Sequence, residues 1–78
     1  MKSTEVNASL VGRKCLGMAF GELVSGTITN VSETECAVYV FFDLDKPIRW
    51  GGDIYTKFDN WARKADEFGS LHHLVLTD

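Results

Sequence analysis

Cysteine and proline are scarce in this chain of 78 residues, and a long apolar run, a paired-cysteine motif and a surplus of basic charge are all lacking. Each shortage excludes something. The two cysteines, Cys15 and Cys36, have no CxxC spacing and no histidine at metal-ligand spacing, so a zinc site is not expected. Both are read as small core residues with reduced thiols. No stretch is apolar for long enough to span a bilayer. Residues 1–9, MKSTEVNAS, lack the apolar segment of a signal peptide. A cytoplasmic protein without a membrane partner is expected. The net charge of −3 disfavours a general nucleic-acid binder, which exchanges a basic stripe for counterions.

Catalytic patterns are missing as well. There is no nucleophile–base pair and no phosphate loop, since Gly51-Gly52 lacks the G-K-[ST] context. Asp43 and Asp45 lie two apart beside Pro47, which is ordinary turn chemistry. His72-His73 are adjacent, so their side chains diverge and do not easily share one ion. The reading is a non-enzyme with no catalytic residues, no metal and no cofactor.

Aromatic and β-branched residues are plentiful: five Phe, two Tyr and two Trp in a single short domain. A chain of this size buries roughly 60–65% of its unfolded surface, so large aromatic side chains or oligomerisation must supplement its core. Residues 23–43, LVSGTITNVSETECAVYVFFD, organise the chain. Two runs that suit a pleated surface flank the polar turn Ser32-Glu33-Thr34-Glu35, which predicts a hairpin. Gly26, inside the first run, is expected to mark a bulge or bend. Period-two alternation sets Cys36, Val38, Val40 and Phe42 on a core face. Ala37, Tyr39, Phe41 and Asp43 take the other face. Tyr39 and Phe41 are not water-facing residues, so that second face requires a cover: the C-terminal part of the chain, another subunit or a ligand.

The remaining segments are placed around this hairpin. Residues 1–9 are expected as a flexible arm and 10–78 as the folded domain. Arg13 to Met18 reads as a first strand, with Gly17 to Glu22 as the returning turn. Phe20, at its tip, is either a lid over the barrel end or a partner contact. Asp43 to Pro47 is expected to end the third strand, and Gly51-Gly52-Asp53 to reverse the chain. Residues 60–68 admit a fourth strand, the favoured reading, or a short helix with Trp61, Ala65 and Phe68 on one stripe. Ser70 to Leu74 reads as one tight 3₁₀ turn before a closing strand at Leu74-Val75-Leu76.

The S-G-T-I-T-N-V and A-V-Y-V-F-F-D strands, with S-L-H-H-L-V-L near the end, resemble the SH3-like small barrels of the Tudor and KOW type. The resemblance implies a mainly β fold: one five-stranded antiparallel barrel with a one-turn 3₁₀ element before its last strand. The insertion at residues 44–60 is longer than the usual connection in such barrels. The stretch W-A-R-K-A-D-E-F-G-S-L-H-H-L is similar to small proteins carried on bacterial mobile gene cassettes. That similarity implies a cytoplasmic bacterial protein and no particular activity.

The candidate site is the aromatic group Tyr39, Phe41, Trp50, Tyr55, Phe58 and Trp61. It is read as an interface through which an interaction module forms a dimer or tetramer, or meets a peptide or protein partner. Two alternatives stay open. A pocket at a subunit junction could take a small ligand. Arg49, Trp50, Trp61, Arg63 and Lys64 interleave rings with basic groups, as single-strand nucleic-acid binders do, although the net charge opposes this.

Overall fold

The computed structural model describes residues 1–78. The fold is mainly β, with no α-helix. Strand β1 spans Lys14–Ala19, β2 Glu22–Glu33, β3 Ala37–Trp50, β4 Asp53–Arg63 and β5 Val75–Leu76. All pair antiparallel in one sheet of order β4-β3-β2-β1-β5. A 3₁₀ turn, Gly69–His73, precedes β5 as expected.

The organising hairpin forms between β2 and β3, with Val31 opposite Val40 and Ile28 opposite Phe42. Val38, Val40 and Phe42 are buried with Leu10, Cys15, Ile28, Ala62, Leu71 and Leu74. Cys36 departs from its expected core position: it lies exposed in the turn. The bulge of β2 falls at Thr29, between Ile28 and Asn30, rather than at Gly26. Gly26 answers a different need, because a Cβ there would lie within van der Waals overlap of the Asp43 carbonyl oxygen.

In a flat sheet β1 and β4 would stand about 14 Å apart, three strand spacings of roughly 4.8 Å. Here they touch. The Met18 amide donates to Asn60 Oδ1 at 3.0 Å, and Asn60 Nδ2 donates to the Met18 carbonyl at 2.8 Å. The sheet has therefore rolled up, and one buried amide side chain joins its two sides where no ladder does. Gly17 makes the approach possible, since a Cβ there would lie 2.8 Å from Asn60 Oδ1 and 2.8 Å from Phe42. The seam continues at Ser70, whose Oγ accepts from the Trp61 amide and donates to the Trp61 carbonyl, both at 2.8 Å.

Residues 60–68 follow the favoured strand reading and not the helical alternative: β4 runs through Asn60 to Arg63, and turns follow. Period two wins there because Asn60 and Ala62 both face the interior. Two further expectations are corrected. Strand β3 does not end at Pro47. Asp43 opposes Lys57 and Ile48 opposes Tyr55, so four residues of β3 face one of β4 in a wide bulge that accommodates the proline. Residues 1–9, expected as a loose arm, are packed in place. Ser3 is buried, its amide donates to the Glu67 carbonyl at 2.7 Å, and its Oγ donates to the Asp66 carbonyl at 3.0 Å. The Met1 amine donates to the Leu71 and Leu74 carbonyls.

Candidate functional site

The β3–β4 hairpin carries all six residues of the predicted aromatic group, but it sorts them into two clusters. On the outer face of the sheet Tyr39 stands directly opposite Trp61. Their rings stack with centroids 5.8 Å apart, and Tyr39 stacks on Phe41 at 6.2 Å. The three rings form one row and cover one another. Tyr39 and Phe41 are consequently half-buried although they point away from the core.

The second cluster lies beyond the bulge. The last β2–β3 pair is Gly26 with Leu44, after which the two strands separate. From Ile48 to Tyr55 the β3–β4 pair continues as a two-stranded arm, reversed at Gly51-Gly52. Both glycines have positive φ, 60° and 86°, the conformation a tight hairpin of right-handed twist requires. The arm meets the barrel through Phe20, in the β1–β2 turn. Its ring stacks on Trp50 at 4.9 Å and lies 5.1 Å from both Tyr55 and Phe58. Phe20 is thus the hub that brings Trp50, Tyr55 and Phe58 together.

Apolar groups are unusually open at this end. Trp50 is 55% exposed, Ile54 59% and Leu23 61%. A shallow concavity of about 380 Å³ lies at the tip between Arg49, Trp50 and Ile54. Another, of about 230 Å³, separates Leu23–Ser25 from Lys46–Ile48 where the strands splay.

The charges divide unevenly. Lys2 pairs with Glu67, Arg13 with Asp78, Lys14 with Asp45 and Lys64 with Glu33, at 2.8 to 3.1 Å. Lys46, Arg49, Lys57 and Arg63 make no such pair. The Lys14 ammonium holds the Asp45 carboxyl below its ordinary range, and the Arg13 guanidinium does the same for Asp78. Burial pushes the Cys15 thiol up to about 11.

The residues predicted for nucleic acid are split by the same division. Arg49 and Trp50 sit at the arm tip; Trp61, Arg63 and Lys64 sit at the far end of β4. Trp61 lies eight positions along β4 from Asp53, which is opposite Trp50, a span of about 26 Å. Lys64 is also engaged by Glu33. His72 and His73 are closer than simple divergence suggests, with ring centroids 4.7 Å apart, edge to face. No three histidine, cysteine or carboxylate side chains converge.

Sequence reasoning missed Leu23, Ile54 and Asn60. Leu23, the first residue of the organising stretch, faces out while Val24 packs inward. Ile54, next to a Gly-Gly-Asp reversal, carries a readable signal: an apolar side chain at a turn has little to pack on. Asn60 carried no such signal.

A family model described as "Domain of unknown function (DUF7258)" matches residues 1–76, and the chain belongs to that family. No curated protein and no solved structure matches it. No helix of the chain is long and apolar enough to cross a membrane.

Proposed function

We propose, for this member of a family whose description assigns no activity, a cytoplasmic SH3-like barrel that serves as a non-enzymatic interaction module and self-associates through its β3–β4 hairpin. One observation carries the reading. Six large hydrophobic side chains are exposed, and Trp50, Ile54 and Trp61 belong to this hairpin, while Leu23 lines a concavity beside it. Open apolar groups gathered at one end, as Trp50 and Ile54 are around the tip concavity, mark interaction sites, whereas isolated exposed residues do not. Aromatic residues and arginine are also what interface centres accumulate.

The nucleic-acid alternative has less support, because its two aromatic–basic pairs lie about 26 Å apart along β4. Acidic Asp43, Asp53 and Asp59 stand on the same two strands. A small-ligand pocket at a subunit junction would presuppose the self-association proposed here.

The test is the native mass by light scattering on a sizing column. A discrete dimer or tetramer at micromolar concentration is expected. A monomer at every concentration up to about 100 μM, where even weak association would register, refutes self-association. Fluorescence anisotropy with labelled single strands at low salt, showing salt-sensitive binding at micromolar protein, would favour the alternative.

A further inference from the structure

We propose that Phe20 is a strained latch: its ring holds the arm against the barrel, and the arm swings free of an intact barrel when the ring lets go. The inference does not depend on self-association. Three observations carry it.

The first is the backbone of Phe20. Ala19 stands opposite Glu22, so Phe20-Gly21 is a two-residue hairpin turn. Both residues have positive φ, 51° and 80°, the type I′ pattern that favours Asn-Gly, Asp-Gly or Gly-Gly. Phe20 alone among the residues other than glycine takes such a φ. Its side chain is bulky and has no polar atom to bond within the turn, so the conformation is strained. A strained residue persists where its surroundings impose it.

The second is what imposes it. The ring stacks on Trp50 at 4.9 Å, 13° from parallel, and meets Tyr55 and Phe58 at 5.1 Å, tilted and edge-on. Trp50 and Tyr55 belong to the arm, and Phe58 to its foot. Ring pairs in these geometries attract one another beyond the area they bury. Strain and ring contact thus oppose each other: when the ring leaves, the first is relieved and the second is lost.

The third is how little else fastens the arm. The core cluster reaches Leu44 and Phe58 and goes no further along it. No residue from Asp43 to Asp59 is fully buried. The bond from Lys14 to Asp45 is the last one made by a side chain before the arm, and none joins Lys46 to Thr56 with the barrel. A lone two-stranded ribbon is marginal in water, and segments with few buried contacts open at a lower free energy than the whole fold. The wide bulge between Asp43 and Ile48 supplies the hinge. Released, the arm presents the faces of Trp50 and Tyr55 that Phe20 covers.

Phe20→Asn separates a latch from a plain turn residue. Asparagine accepts the left-handed backbone and suits this turn, but it carries no ring. Native-state amide exchange by NMR, with urea unfolding as the global measure, is recorded on the wild type, Phe20→Asn and Phe20→Tyr at a concentration where all three have the same native mass. In Phe20→Asn the slowest arm amides between Ile48 and Tyr55 are expected to lose protection at least about tenfold. The urea midpoint and the protection of Val40 are expected to stay level or rise. Phe20→Tyr, which keeps the ring, is expected to keep the protection of the arm. Unchanged arm protection in Phe20→Asn, or a midpoint that falls together with it, overturns the latch. So does a Phe20→Tyr arm as open as that of Phe20→Asn.

Discussion

Replacing Asn60 by alanine tests how the barrel is closed. The side chain is 2% exposed and makes three hydrogen bonds: it accepts from the Met18 amide, and donates to the Met18 and Asp59 carbonyls. Alanine leaves the two Met18 groups without their partner. Each orphaned group costs about 1–3 kcal/mol, less where water can enter. The expected loss is therefore about 3–4 kcal/mol. A domain of this length has a stability of about 4–12 kcal/mol, so the variant stays folded but loses a large share. With a urea dependence of about 1 kcal/mol per molar, the unfolding midpoint falls by about 3 M. Amide hydrogen exchange adds a local readout, since Met18 protection should collapse by more than that of Val40. Asn60→Asp sharpens the test. A carboxylate keeps the bond from the Met18 amide but turns an acceptor toward two carbonyls, so its pKa in the folded state rises above the usual value near 4. The unfolded chain then releases its proton first. The stability of this variant is fully present below about pH 4 and is lost as pH rises through the folded value. Its deficit against the wild type should thus be larger at pH 7 than at pH 4. An alanine variant that loses less than about 1 kcal/mol, or Met18 protection that does not change, would refute closure by this side chain.

Two further outcomes follow from other positions. Gly26→Ala drives a Cβ onto the Asp43 backbone carbonyl, which cannot rotate away, and is expected to cost at least about 2 kcal/mol in urea unfolding. The two thiols should differ in chemistry: Cys36 reacts with a thiol reagent in the native state, whereas buried Cys15 reacts only on unfolding. Because the folded Cys15 value is raised from 9.0 to about 11, the stability it contributes is intact below pH 9 and declines between pH 9 and 11. The loss is about 2–3 kcal/mol, measurable by denaturation at pH 8 and pH 11 in the wild type against Cys15→Ala.

The parts of this fold that depend on neighbours in sequence are legible without coordinates. Val38, Val40 and Phe42 alternate with Tyr39 and Phe41, and that alternation alone places the two faces of β3. Leu71 and Leu74, three apart in a tight turn, read as inward-facing and are buried. Local rules failed where a distant partner overrode them. Asparagine is a poor strand former, yet Asn60 sits inside β4 because Met18, 42 positions away, supplies its partners. Pro47 reads as a strand end, yet the wide bulge removes the need for its missing amide. Half of the candidate site was visible for the same reason. Tyr39, Phe41 and Trp61 follow from alternation across neighbouring strands. The grouping of Trp50, Tyr55 and Phe58 depends on Phe20, whose chain distance from them no periodicity measures.

The want of any fully buried residue between Asp43 and Asp59 bears on how this architecture can vary. The arm is a graft rather than a girder. Loop-closure entropy grows by only about 0.6 kcal/mol per doubling of length. The hairpin could therefore be lengthened, shortened or exchanged for a two-residue turn while the barrel beneath keeps its core. Surfaces with different preferences can be tried on one unchanged foundation. A family built this way can diversify what its members hold at little cost to how they stand.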